Sequence, residues 1–249
     1  FLLASEQIRF DPKKKLFAGE LALDGTVCGI RGALSIAIAA QENGYNELFL
    51  PLQNAEEASL VSRITIFPVD TLENIVKHLN GSKKLKPYVR MRRINTPEDS
   101  SASFDDIRGQ ESAKRGLEIA SAGRHNIALY GPPGTGKTML ARAAVELLPP
   151  LSEEETIEVT AIHSLAGVLS NVMYRPPFRS PHHTSSYASL IGGGSIPRPG
   201  EVTLAHRGVL FLDEFAEFHR DVVNALREPL EDKVVSVARA RASNVFPAN

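Results

Sequence analysis

One run of residues in this chain has the composition and spacing needed to bind phosphate: Gly131-Pro132-Pro133-Gly134-Thr135-Gly136-Lys137-Thr138. It matches the pattern G-x-x-x-x-G-K-[ST] and lies between an apolar stretch predicted as a strand (residues 127–130) and a predicted helix (residues 137–148). Small residues let the backbone wrap around phosphate groups and point its N–H groups at them. We expect Lys137 to reach the β- and γ-phosphates and the Thr138 hydroxyl to ligate Mg²⁺. All eight residues of this phosphate-binding loop are therefore predicted to bind ATP with magnesium.

An acidic pair, Asp213-Glu214, follows the apolar residues 209–212, which are predicted to form a central strand. A carboxylate at such a strand end lies near the magnesium ion of a nucleotide site, so Asp213 is predicted to hold that ion through water. Glu214 is then placed to polarise the water that attacks the γ-phosphate. Glu214 and Lys137 are thus the predicted catalytic residues. In isolation a solvated acidic turn would explain the pair better; its combination with the phosphate-binding loop favours a nucleotide site.

The composition is that of an ordinary globular protein, with 249 residues of which 43% are hydrophobic and 23% are charged. A net charge of −1 is no signature of nucleic-acid binding, so any contact with DNA or RNA must be local. The single cysteine, Cys28, excludes a disulfide within the chain and suits a reducing compartment, so a cytoplasmic location is expected. No apolar run approaches the ~18 residues of a membrane span, so no membrane partner is expected.

The sequence pattern divides the chain into three parts. Residues 1–81 alternate short apolar strands with helices, which predicts a small α/β domain in which Asn54 caps a helix. Residues 82–103 are polar and basic and are expected to form a linker, with a solvated tether favoured over a nucleic-acid contact. Residues 104–249 resume the α/β pattern. Because the chain begins without Met and stops abruptly, both domains are expected to be truncated.

A β-hairpin is predicted near the end of the chain, formed by residues 234–237 and 244–246. Arg239 and Arg241 fall near its tip, where two guanidinium groups could follow a phosphate backbone. A solvated turn with incidental charge is the alternative. A further strand is predicted at residues 157–162, where apolar and β-branched residues are concentrated.

A further segment precedes the phosphate-binding loop: Phe104-Asp105-Asp106-Ile107-Arg108-Gly109-Gln110. Together with the acidic pair, it resembles the corresponding segment of the AAA+ ATPases. The resemblance implies a parallel sheet flanked by helices, with Ile107 and Gly109 against the adenine. It further implies self-association into a ring, expected to be a hexamer, in which a neighbouring subunit supplies an arginine to each site. The sensor residues and the lid of that family are expected after Asn249.

Three further runs narrow the resemblance: Phe178-Arg179-Ser180-Pro181-His182-His183, Ile191-Gly192-Gly193-Gly194 and residues 199–208. They resemble the magnesium-chelatase branch of AAA+ proteins, and within it the chain is similar to the bacterial ComM/YifB group. That resemblance implies a ring-forming DNA helicase that promotes branch migration during natural transformation. A chelatase motor subunit and a protein-remodelling ATPase stay open as alternatives. For His182 and His183 a structural contact is favoured over a metal site, because adjacent histidines on a loop need further ligands.

The amino-terminal residues resemble the carboxyl half of the Lon-protease fold. The resemblance is carried by residues 17–25, which lead into the glycine-rich stretch to Gly32, by Leu48-Phe49-Leu50-Pro51 and by Asn54. Lon proteases cut peptides with a serine that a lysine activates. In the alignment with that family Leu34 falls at the position of the lysine, and a leucine cannot accept a proton. The resemblance therefore implies a Lon-like domain without peptidase activity.

Overall fold

The computed structural model describes residues 1–90, 104–193, 198–239 and 242–249. The chain groups into two compact units, Phe1–Arg93 with Thr160–Val172 and Ile94–Val159 with Met173–Asn249. The predicted linker, residues 82–103, lies outside the described residues from residue 91 onward. Domain boundaries at residues 81 and 104 stay predictions. No helix within the described ranges is long and apolar enough to cross a membrane.

The first unit is an α/β layer, as its sequence pattern predicts. In chain order its elements are β1 (Lys15–Phe17), β2 (Glu20–Leu21), β3 (Val27–Cys28), α1 (Ala33–Glu42), β4 (Glu47–Pro51), a 3-10 turn (Leu52–Asn54), α2 (Ala55–Ala58), β5 (Thr65–Val69) and α3 (Leu72–Leu79). The strands β1, β4 and β5 form a parallel sheet in that order. The strands β2 and β3 pair antiparallel around the turn at Asp24-Gly25.

The core of the first unit is built on the central strand β4. Leu48, Phe49 and Leu50 are at most 1% exposed, as expected for a strand with neighbours on both sides. Phe49 is opposite Phe67 of β5, and the two rings stack with centroids 4.9 Å apart. The ring of His78, on α3, packs against both phenylalanines. Because Thr71 accepts a hydrogen bond from the Asn74 amide, α3 begins at a capping residue.

Asn54 does not cap the helix that follows it, so that prediction is wrong. Its side-chain oxygen accepts a hydrogen bond from the Ile30 amide at 3.0 Å, and its Nδ2 donates to the Ile30 carbonyl at 2.9 Å. The same Nδ2 donates to a buried carboxylate oxygen of Glu57 at 2.6 Å. The side chain therefore holds the backbone at Ile30 instead of capping α2.

The second unit is a mixture of short helices and short strands. In chain order its elements are a 3-10 turn (Phe104–Asp106), α4 (Glu111–Gly123), α5 (Lys137–Ala143), a 3-10 turn (Ala144–Leu147), α6 (Glu153–Ala166), β6 (Phe178–Arg179), α7 (Tyr187–Ile191), β7 (Gly192–Gly193), β8 (Arg198–Pro199), α8 (Glu201–Leu204), β9 (Val209–Leu210), a 3-10 turn (Phe215–Glu217), α9 (Arg220–Ala225), α10 (Arg227–Asp232), β10 (Val234–Arg239) and β11 (Ala242–Pro247). The helix α6 is divided between the two units at Thr160.

The strand predicted at residues 157–162 is wrong, because these residues lie inside α6. The helix begins with a reciprocal pair of hydrogen bonds that satisfies two amides at its start. The Glu155 amide donates to the Ser152 hydroxyl at 3.1 Å, and the Ser152 amide donates to the Glu155 carboxylate at 3.0 Å. This S-x-x-E capping box fixes a helix despite the β-branched residues that follow.

The apolar stretch before the phosphate-binding loop, residues 127–130, forms no strand. Ile127 is 46% exposed and Tyr130 is fully exposed, so the stretch is not buried as a central strand would be. Extended backbone needs a neighbour to exchange hydrogen bonds with, and none of the described strands pairs with it. The strand predicted at residues 209–212 is shortened to β9, which pairs in parallel with β6.

The carboxyl-terminal hairpin is confirmed. The strands β10 and β11 pair antiparallel, with Val235 opposite Phe246. These two side chains are buried in a cluster with Leu190, Ile191, Val202, Phe218, Val222, Leu226 and Val237. The hairpin is therefore anchored through one face in the core of the second unit.

Candidate nucleotide-binding site

The phosphate-binding loop follows directly from Tyr130 and ends where α5 begins at Lys137. Gly134 and Gly136 have φ angles of +79° and +81°, a region that only glycine enters without strain. The Thr135 hydroxyl donates to the carbonyl of Pro132 at 2.9 Å and closes the loop across the turn at Pro133. The positions of the glycines thus follow from the backbone conformation that the loop requires.

The Lys137 ammonium lies inside the loop that precedes it. Its Nζ donates to the carbonyl oxygens of Gly131 and Pro132, both at 2.9 Å. The charge is thereby held against the backbone of the loop that is predicted to bind phosphate. A point charge with three donors can bind phosphate oxygens while part of its contact with the loop is kept.

The two predicted halves of the site meet at Thr138 and Asp213. The Thr138 hydroxyl donates to Oδ2 of Asp213 at 3.0 Å, across 75 residues of sequence. A hydroxyl and a carboxylate are the hard oxygen donors that Mg²⁺ prefers, so this donor set fits the predicted ion. The structure brings both predicted magnesium residues together; their role as ligands stays a prediction.

The position of Asp213 is fixed by the pairing of β9 with β6. The Phe211 amide donates to the Arg179 carbonyl at 2.8 Å and continues that pairing by one residue. The Arg179 guanidinium in turn donates to both carboxylate oxygens of Glu201, at 2.6 and 2.8 Å. These hydrogen bonds raise the pKa of the Arg179 side chain, which therefore keeps its positive charge beside Glu201. Arg179 therefore connects β6, the strand that pairs with β9, to α8.

Glu214 lies beside Asp213 but its side chain has a different partner. Its backbone is in the left-handed region (φ +52°), and its amide donates to Oδ1 of Asp213 at 3.0 Å. Its carboxylate oxygen Oε2 lies 3.1 Å from Nδ1 of His183. The predicted catalytic glutamate therefore contacts a histidine that the sequence analysis did not place in the site.

The segment predicted to lie against the adenine also meets the loop. Gln110 donates from Nε2 to the carbonyl of Thr135 at 3.4 Å, and Gly109 has a φ of +68°. Ile107 is 4% exposed and packs with Leu117 and Leu140. Ile107 is thus buried in a cluster that includes Leu140 of α5, and within this segment the hydrogen bond to the loop is made by Gln110.

Other predicted contacts are only partly described. Arg241 lies outside the described residues; for Arg239 the structure describes the backbone, at the end of β10, but not the side chain. Within the described ranges no group of three potential metal-ligating side chains includes His182 or His183. Sequence reasoning missed the partnership of His183 with Glu214 because the two residues are far apart in the chain and neither carries a local signal for it.

Comparison with known proteins extends these observations. Residues 103–249 match the family model described as magnesium chelatase, subunit ChlI, and residues 1–54 match a second model described as subunit ChlI of Mg-chelatase. The chain is 44% identical to the competence protein ComM of Haemophilus influenzae in an alignment 253 positions long, which covers 99% of this chain and 50% of that protein. It is also 44% identical to YifB of Salmonella typhimurium in an alignment 251 positions long, which covers 99% of this chain and 49% of that protein.

Lon protease 2 of Bacillus subtilis is 34% identical in an alignment 169 positions long, which covers 62% of this chain and 31% of that protein. The chain spans about half the length of ComM and YifB. The family model covers more than half of the chain, and the relatives match nearly all of it. The chain therefore belongs to the magnesium-chelatase ChlI family of AAA+ proteins, in the ComM/YifB group, with similarity to Lon protease in part of its length.

Proposed function

We propose that this protein is an ATP-binding and ATP-hydrolysing AAA+ motor of the ComM type, which assembles into a ring, expected to be a hexamer, in the cytoplasm and moves DNA strands. The observation that carries the proposal is the contact between Thr138 and Asp213. It joins the phosphate-binding loop to the acidic strand end, two features that are needed together to hydrolyse a nucleotide.

Each residue of the site has a role that follows from its chemistry. The loop, residues 131–138, binds the phosphates through its backbone amides, and Lys137 supplies a positive charge to the β- and γ-phosphates. Thr138 and Asp213 hold Mg²⁺, which when bound neutralises charge on the phosphate oxygens. Glu214 accepts a proton from the attacking water while the water oxygen bonds to the γ-phosphorus. The bond from that phosphorus to the β,γ-bridging oxygen breaks at the same time, and ADP leaves. Ile107 and Gly109 are the proposed adenine contacts.

The DNA substrate is proposed from the relationship to ComM, whose name is that of a competence protein. Local support comes from the hairpin, in which Arg239 is paired with Ala242 at the far end of the β10–β11 ladder. A hairpin that projects into the pore of a ring would present Arg239 and Arg241 of every subunit to a phosphate backbone. The role in natural transformation or recombination is part of this proposal.

Peptide cleavage is not part of the proposed activity. Leu34 is completely buried on α1, and its amide donates to the carboxylate of Glu57 at 3.4 Å. A buried leucine has no atom that could accept the proton of a serine nucleophile. We propose that the Lon-like region has a structural or coupling role.

The test is ATP hydrolysis by the full-length protein with and without DNA. Added DNA is expected to raise the rate, Lys137→Ala to abolish it, and Arg239→Ala with Arg241→Ala to weaken the stimulation severalfold at low salt. A double variant of two exposed arginines outside the hairpin, Arg63→Ala with Arg220→Ala, is the matched control and should keep the stimulation. If DNA leaves the rate unchanged while Lys137→Ala still abolishes it, the helicase proposal fails and a chelatase-type or protein-remodelling motor takes its place.

A further inference from the structure

His183 contacts the proposed catalytic glutamate directly. Its Nδ1 lies 3.1 Å from Oε2 of Glu214, and the histidine side chain is 29% exposed against 64% for the glutamate. A hydrogen bond between the two side chains needs its hydrogen on Nδ1 of His183, because an ionised carboxylate can only accept. The more buried imidazole would then be the donor, and the more exposed carboxylate is the group that it restrains.

The His183 ring is itself held by its neighbour in sequence. The rings of His182 and His183 lie with centroids 4.1 Å apart and planes 36° from parallel. Nδ1 of His182 accepts a hydrogen bond from the Thr184 amide at 3.3 Å and lies 2.8 Å from the Thr184 hydroxyl. Nδ1 of His182 is thus an acceptor. If Nδ1 of His183 donates to Glu214, the two adjacent rings have opposite tautomers.

The contact leaves part of the glutamate available for chemistry. It uses Oε2, and within the part of the chain that the structure describes Oε1 of Glu214 receives no hydrogen bond. The backbone of Glu214 is held by the hydrogen bond that its amide donates to Oδ1 of Asp213. A base oriented by a third group is the arrangement that activated-water and activated-nucleophile sites share. One oxygen is thus held by His183 while the other can accept a proton from water.

We infer that His183 is a positioning residue for Glu214, which orients the carboxylate for proton abstraction without contacting the nucleotide. The inference rests on the proposed function, since it assigns Glu214 the role of base. It assigns the Pro181-His182-His183 run a function other than metal binding or a structural contact. His182 supports it by packing its ring against that of His183.

Steady-state ATP hydrolysis by the full-length protein tests this role. His183→Ala is expected to lower kcat about tenfold, while KM for ATP stays within about twofold, because the interaction acts on the water-activating group alone. His183→Asn places an amide donor near the position of Nδ1 and should recover most of the rate. The matched control is His219→Ala: this histidine lies 3.5 Å from Asp221, both side chains are 78% exposed, and the rate should not change.

A readout without nucleotide is the nitrogen-15 spectrum of the imidazole rings, which shows which ring nitrogen carries the hydrogen. His183 should show a hydrogen on Nδ1 and His182 a hydrogen on Nε2. Removing the acceptor with Glu214→Ala should move the His183 hydrogen to Nε2 and leave His182 unchanged. An Nε2–H tautomer of His183 that does not respond to Glu214→Ala would overturn the inference.

The outcomes separate this inference from the proposed function. If Lys137→Ala and Glu214→Gln leave ATP hydrolysis intact, the proposed function itself fails. If both abolish hydrolysis but His183→Ala retains the wild-type kcat, only the role of His183 is overturned. A loss in His183→Ala that His183→Asn does not recover, together with an unresponsive tautomer, also overturns it, because it marks a purely structural effect.

Discussion

The strands β4 and β9 show how differently the two units are built. The strand β4 has five residues and two parallel neighbours, and Leu48 to Leu50 are at most 1% exposed. The strand β9 has two residues, one neighbour among the described strands, and only partly buried side chains. Yet β9 leads to Asp213 and β4 to no predicted catalytic group. Burial thus stabilises the first unit, whereas the site in the second is held by polar contacts at the end of a short strand.

The largest expected effect on stability comes from truncating one leucine in each of the two strands. Leu48 of β4 is completely buried, whereas Leu210 of β9 is partly buried at the edge of its cluster. Leu48→Ala is expected to lower the free energy of unfolding by about 3–4 kcal/mol and Leu210→Ala by about 1–2 kcal/mol, because the lost apolar area and the cavity are both larger in β4. Urea denaturation followed by circular dichroism measures both. Equal losses would show that β9 is as much a core strand as β4.

A smaller expected effect is a pH dependence of the stability of the first unit. Burial, and then the charge of Lys84, lower the pKa of His78 in the first unit. Its Nδ1 accepts a hydrogen bond from the Leu85 amide at 2.8 Å, which protonation of that nitrogen would break. A group whose pKa is lowered by folding binds its proton more readily when unfolded. Its stabilising contribution is therefore complete above the ordinary pKa of about 6.5 and is lost as the pH falls through the folded value.

The melting temperature of the first unit should accordingly decrease between pH 7.5 and pH 5.5. His78→Asn keeps an acceptor near the position of Nδ1 but cannot be protonated, so this variant should show a shallower decrease. His219→Ala, which removes an exposed histidine, should keep the slope of the wild-type protein. A wild-type slope in His78→Asn would mean that His78 is not the group that titrates.

The first unit could be predicted from sequence more fully than the second, for physical reasons. The apolar runs of β4 and β5 and the Thr71 cap are local signals, and each element forms where its signal lies. In the second unit β-branched residues favoured a strand over residues 157–162, but the capping box of Ser152 and Glu155 decides for a helix. That signal is four residues long and lies before the residues on which the strand prediction rests.

The candidate site shows the same division between local and distant signals. The phosphate-binding loop and the acidic pair were predicted from their own residues, and the contact between Thr138 and Asp213 joins them. The contacts of His183 with Glu214 and of Gln110 with Thr135 depend on how distant segments fold back, which no local pattern carries. Asn54 shows that a local signal can also mislead. Its residue type is typical of helix caps, but its side chain accepts a hydrogen bond from the distant Ile30 amide.

The central claim is that Lys137 binds the nucleotide and Glu214 activates the water. The most direct measurement compares Mg-ATP affinity and turnover in full-length Lys137→Ala and Glu214→Gln. Lys137→Ala should weaken ATP binding by about tenfold or more, through the loss of a charge-assisted hydrogen bond. Glu214→Gln should bind ATP as the wild-type protein does and hydrolyse it about a hundredfold more slowly. Wild-type turnover in Glu214→Gln, or unchanged affinity in Lys137→Ala, would contradict the account.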